Sequence, residues 1–169
     1  RVCGRFPRAG DMQFMPSDIV ELSQKRELGR YLGDDPLIMG VDVARGGEDN
    51  CMIQFRRGFD ARSETVYRIP GEKSRDSMVV ISKLVDVIDR HMPDVIFVDA
   101  TGIGGPIGDR LRQLGYHVID VGFGHKATDE SRYSDKTAEM GARCRQWLLE
   151  GGSIPDNAKL EVQLTSREF

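Results

Sequence analysis

The stretch LIMGVDVARGGEDN, residues 37–50, is an apolar strand that carries an aspartate, Asp42, and runs into a Gly-Gly turn. A second stretch, PDVIFVDATGIGG at 93–105, repeats the arrangement, with Asp99 closing an apolar run just before a glycine-rich turn. An unpaired carboxylate in an apolar interior costs several kcal/mol, and two side by side would force one to stay protonated. A strand order that makes the two aspartates neighbours, with a cation between them, removes both costs.

The pattern around these strands supplies such an order. Residues 37–44, 50–58 and 63–70 are predicted strands joined by short Gly- and Asp-rich connections, which makes an antiparallel meander. A helix is predicted over 74–92, with Val80, Leu84, Val87 and Ile88 on one face and Pro93 as its stop. Then follow a strand at 94–99, a helix at 105–115, a strand at 116–123 and a helix at 134–152 that ends at a glycine pair. One more helix begins near Asp156, its candidate cap. This alternation implies parallel strands with right-handed crossovers. The expected fold is α/β: a mixed sheet made of a three-strand meander followed by parallel β-α units, with flanking helices. In it the strand holding Asp42 lies beside the strand holding Asp99.

Carboxylates at adjacent strand ends, away from any His or Cys cluster, form a hard oxygen site suited to Mg²⁺ or Mn²⁺. A pair of such ions can stabilise both the attacking and the leaving oxygen of a phosphodiester. Asp49, in GGEDN, could approach the same site from the hairpin; Glu48 beside it is a weaker candidate. An aspartate ending a strand is commonly just a turn former, and the metal reading rests on there being two.

Composition is compatible with this chemistry. The chain has 169 residues, enough for one domain, with 39% hydrophobic and 30% charged residues. Its net charge of −3 argues against a protein that holds nucleic acid by bulk charge alone. No apolar run suits a membrane span. Cys3, Cys51 and Cys144 are odd in number and form no CxxC, so neither a disulfide framework nor a zinc site is indicated. The glycines in TGIGGPIG miss the GxGxxG spacing, since Ile107 stands where the third glycine belongs, and no GxxxxGK[ST] loop is present.

Residues 1–35 differ from the rest. A turn-rich opening precedes an amphipathic helix in SDIVELSQKRELGRYLG, with Ser17 as a candidate N-cap, and the whole segment is expected to be a linker or extension from a preceding domain. Residues 36–169 form the α/β domain. Among basic residues, Arg56 and Arg57 leave the second strand, while His125, Lys126, Arg132 and Lys136 belong to the loop GHKATDESRYSDK after the fifth strand. That loop is expected beside the aspartates, where it could steer a phosphate backbone. Arg62 reads as part of a solvated face, His91 and His117 as structural, Glu139 as a weak ligand candidate and Trp147 as a core residue.

The blocks GVDVARGGEDN, IFVDATGIGGPIGDRL and KTAEMGARCRQWLLEGG, in this order, resemble the C-terminal nuclease domain of the tailed-bacteriophage terminase large subunit, a ribonuclease H-like fold. GRFPRAGDMQFMP likewise resembles the passage leading out of that family's ATPase domain. The resemblance implies a Mg²⁺- or Mn²⁺-dependent endodeoxyribonuclease that cuts concatemeric double-stranded DNA by two-metal phosphodiester hydrolysis with little sequence preference. Asp42 and Asp99 match the family's metal-binding catalytic carboxylates, and Asp49 an auxiliary acid. The family's third carboxylate is expected beyond Phe169. Implied partners are double-stranded DNA, an N-terminal ATPase domain of the same polypeptide, a small terminase subunit and a portal protein; the implied location is the cytoplasm of an infected bacterium. Two other classes share features of this pattern: an actin-like nucleotide-binding domain, which nucleotide-dependent thermal stabilisation would reveal, and a non-catalytic docking module of a packaging motor.

Overall fold

Pairing of the strand Leu37–Asp42 with two partners organises the protein, described here from a computed structural model for residues 14–27, 34–44 and 48–166. The elements run α1 (Ser17–Lys25), β1 (Leu37–Asp42), β2 (Cys51–Arg57), β3 (Tyr67–Ile69), α2 (Gly71–Ser74), α3 (Ser77–His91), β4 (Val95–Asp99), α4 (Gly104–Gln113), β5 (Val118–Val121), α5 (Lys136–Glu150) and α6 (Ala158–Thr165). They build a sheet of order β3-β2-β1-β4-β5, antiparallel through the meander and parallel from β1 to β4 to β5. β1 is therefore central, and the expected mixed architecture is the observed one.

The period-2 pattern assigns each face. Leu37, Met39 and Val41 of β1, Cys51, Ile53 and Phe55 of β2, and Ile96 and Val98 of β4 are buried in one cluster under α3 and α4. Helix α3 contributes Val80, Ile81, Leu84, Val87 and Ile88, while α4 adds Ile107 and Leu111. Asp76 caps α3, its side chain accepting a hydrogen bond from the amide of Met78, and Met92 ends the helix in the left-handed conformation immediately before Pro93. A second, smaller cluster lies among the helices α1, α5 and α6, where Val20 packs with Leu148 and Ile154 and with the half-buried Leu160 and Leu164.

Several boundaries differ from those predicted. The third strand is shorter than predicted, 67–69, and before it the chain turns at Asp60, whose carboxylate accepts hydrogen bonds from the amides of Arg62 and Ser63. Ser17 is the first helical residue of α1, and Pro16 occupies the cap position. Asn157, rather than Asp156, caps α6, its side chain accepting from the amides of Lys159 and Leu160. The passage 1–13 and the Gly46-Gly47 turn lie outside the described residues.

Helix α6 is held through α1. The side-chain amide of Gln24, nearly fully buried, donates to the carbonyls of Pro155 and Asn157 at the entry to α6. Arg26 donates to the carbonyls of Leu148 and Gly152, which serves the C-terminal end of α5. Arg62, expected on a solvated face, donates instead to the carbonyls of Gln24 and Arg26. These bonds fix α6 over the half of the sheet that α3 and α4 leave uncovered.

Candidate metal and phosphate site

The parallel ladder sets Val41 opposite Val98, both in the core, so Asp42 and Asp99 are the next residues of their strands and leave the sheet on the other face. They sit at neighbouring C-terminal strand ends, where open α/β sheets commonly place ligands. One oxygen of Asp99 accepts the amide hydrogen of Thr101 at 2.9 Å, a short turn that steadies the carboxylate. Helix α4 then starts so close to the strand end that a Cβ on Gly104 would stand 1.7 Å from the carbonyl oxygen of Asp99. Glycine is required there, and Gly102 before it has a φ of +66°. The glycine-rich TGIGG is thus a device for closing the helix onto the Asp99 strand end.

Asp42 faces an electrostatic cost. Its carboxyl is raised above the ordinary aspartate value by partial desolvation first, then by the negative charges of Asp99 and Asp49. All three acids therefore act on one region of space. Asp49 is exposed and, with Asp42, lines a groove of about 540 Å³ between the second face of the sheet and α6. A divalent cation fits this donor set: it would offset the crowding, and hard cations accept one or two carboxylates with water and phosphate oxygens in the remaining positions. Among the described residues, no group of three or more His, Cys, Asp or Glu side chains is gathered closely enough to hold a metal by itself.

The predicted DNA-contact residues have varied surroundings. Arg56 lies 5.8 Å over the Trp147 ring and donates to the Gly58 carbonyl, and Arg57 donates to the carbonyl of Asp35. Trp147 donates to the same Gly58 carbonyl and stacks with Phe59, so it is a packing residue. In the loop after β5, Lys126 pairs with Glu130, Arg132 lies over Tyr133, and His125 is exposed with its ring against Gly122. Lys136 donates to Thr128 and to Glu139. His91 stacks on Phe55 and hydrogen-bonds Tyr67 and Glu64, and His117 contacts the Asp94 carbonyl.

Glu139 is an anchor. Only 1% exposed, it accepts hydrogen bonds from Lys136, from the Thr128 amide and from Arg143. Those partners, Lys136 foremost, hold its carboxyl at about 2. Its oxygens are engaged in tying the loop to α5, which leaves it poorly suited to bind metal.

Two cations escaped the sequence reading. The antiparallel register places Asp42 opposite Met52 and Met52 opposite Arg68, so Arg68 occupies the same row, two strands away. Lys159 faces it across the groove from α6. Alternation within Tyr67-Arg68-Ile69 contained the signal, but it becomes useful only once the register is known.

No protein-family model matches this chain, and no curated protein matches it in sequence. Solved structures do match it. The large terminase nuclease of thermophilic phage G20c with bound cobalt aligns with a TM-score of 0.63 at 12% identity, covering 95% of this chain and 82% of that one. The nuclease domain of the large terminase subunit gp2 of bacterial virus Sf6 aligns with a TM-score of 0.62 at 11% identity, covering 91% and 81%. The HK97 bacteriophage large terminase gives 0.54 at 11% identity over 90% of this chain and 36% of that one. The G20c nuclease has also been solved with magnesium and with zinc.

Two pH tests follow from the geometry. Because the folded state raises the Asp42 pKa, its ionisation destabilises the metal-free protein, a penalty absent at low pH that grows as pH rises through the folded value. Asp42→Asn is expected to raise the metal-free Tm at pH 7, with the gain shrinking toward pH 3; an unchanged or lower Tm at pH 7 contradicts the crowding. Glu139 has the opposite sign. Its folded pKa of about 2 lies below the ordinary 4.5, so its contribution is full above that range and lost as pH falls toward 2. Glu139→Gln is expected to lower Tm at neutral pH and to lose its difference from wild type in acid, as followed by circular dichroism. The chain shares the ribonuclease H-like fold of the nuclease domains of phage terminase large subunits.

Proposed function

We propose that this chain is the metal-dependent endonuclease domain of a phage DNA-packaging terminase. The observation that carries the reading is the placement of Asp42 and Asp99 at adjacent strand ends, with Asp49 acting on the same space. The likeness to metal-bound terminase nucleases supports it.

In this reading Asp42 and Asp99 hold Mg²⁺ or Mn²⁺, two ions in all. When bound, the ions supply the Lewis acidity that phosphodiester hydrolysis needs. The chain's own residues do the positioning. The Thr101 amide orients the Asp99 carboxylate, and the start of α4 at Gly104 fixes the strand end beneath it. Asp49 adds negative charge at the groove side. Nothing in the sequence resembles a base-reading helix, which fits cutting of double-stranded DNA with little sequence preference.

The same reading makes residues 1–35 the passage from an ATPase domain and 36–169 the nuclease domain. The small terminase subunit and the portal are its partners, and the cytoplasm of an infected bacterium is its place of action. No described helix is long and apolar enough to cross a membrane.

Nicking of supercoiled plasmid by this chain in Mn²⁺ tests the proposal. The expected result is nicking abolished by EDTA and reduced more than about 100-fold in Asp42→Asn, since even the outer partners of metal ligands are worth about 10- to 100-fold. Full activity in that variant would remove Asp42 from the site. Thermal stabilisation by a nucleotide, with no nicking, would favour the actin-like reading.

A further inference from the structure

The groove that Asp42 shares with α6 is lined by charges of both signs: the carboxylates of Asp42 and Asp49, and the cations Arg68 of β3 and Lys159 of α6. Arg68 is exposed, stands in the same cross-strand row as Asp42, and is separated from it by two strand spacings, about 10 Å between backbones. Neither its guanidinium nor the Lys159 ammonium has an ion-pair or hydrogen-bond partner among the described residues. This sets them apart from Arg56, Arg57, Lys126 and Lys136. Arg56 and Arg57 serve backbone carbonyls, Lys126 pairs with Glu130, and Lys136 is bound to Glu139.

Resting on the nuclease reading above, we infer that Arg68 and Lys159 form a phosphate-binding subsite that carries the backbone of the cleaved strand from the Asp42 end across the second face of the sheet. A groove of about 540 Å³ has room for a segment of sugar-phosphate chain. Among the described residues no aromatic side chain lines the groove, so these offer no platform on which bases could stack. Of its amide side chains, Gln54 donates to the Phe55 and Ala61 carbonyls and Asn157 caps α6, while Asn50 and Gln163 add neutral polar groups beside the two cations. They are sequence-independent contacts that position the strand. The groove also has a structural setting. Gln24 of α1 holds the entry of α6, so the distance of Lys159 from Arg68 is set by the packing of α1.

The test is equilibrium binding of a fluorescently labelled duplex oligonucleotide in Ca²⁺, followed by anisotropy from low to moderate salt, with gels to confirm that the probe stays intact. Wild type is compared with Arg68→Gln, Lys159→Gln, the double variant, and Arg90→Gln on α3 as a control from the other side of the sheet; thermal melts confirm that each folds. Each groove variant is expected to weaken binding and to flatten the plot of log K against log salt by about 0.9, the double variant by about 1.8, with Arg90→Gln unchanged. Wild-type binding whose slope is the same in the groove variants as in Arg90→Gln overturns the subsite and leaves the nuclease reading standing. Absence of wild-type DNA binding overturns both.

Discussion

The site depends on the parallel pairing of β1 with β4. One residue of slip in that ladder would turn Asp42 or Asp99 from the second face of the sheet into the core. The register is fixed by apolar burial: Met39 and Val41 on one strand, Ile96 and Val98 on the other, all buried under α3 and α4. The same residues that exclude water from the core therefore aim the two carboxylates away from it. Partial burial, and after it the charges of Asp99 and Asp49, raise the Asp42 pKa, a local instability of the kind functional sites maintain against the stability of the surrounding core.

The second face divides the work differently. Helix α6 lies across it as one wall of a groove rather than as a lid on a core, and α1 supports that wall through Gln24 while Arg26 and Arg62 tie the backbone around it. Many of the arginines that look like nucleic-acid contacts in the sequence are such ties. Arg68 and Lys159, which have no ion-pair partner among the described residues, line the groove. A protein of net charge −3 can still present cations locally, here beside the carboxylates of Asp42 and Asp49.

Strand order and face were legible in the sequence because each strand alternates or runs apolar and each break carries a glycine, proline or aspartate. The central position of β1 followed from the meander and the crossover rule, and with it the adjacency of Asp42 and Asp99. Other features were not legible for definite reasons. The turn at Asp60, between two predicted strands, is held by hydrogen bonds from the amides of Arg62 and Ser63 to its carboxylate, which the strand pattern does not record. Glu139 read as a weak ligand candidate, and its role as an anchor emerged only when the fold brought the Thr128 amide onto it. Arg68 could be recognised only through its register with Met52, a relation between strands rather than along one.

The central claim is that Asp42 and Asp99 share divalent metal. Crystals grown with Mn²⁺ and measured near the manganese absorption edge test it without reference to activity. The account predicts an anomalous peak between the two carboxylates, about 2.1 Å from an oxygen of each. Ordered, well-separated Asp42 and Asp99 side chains with no peak at saturating Mn²⁺, or a peak only elsewhere on the surface, would contradict it.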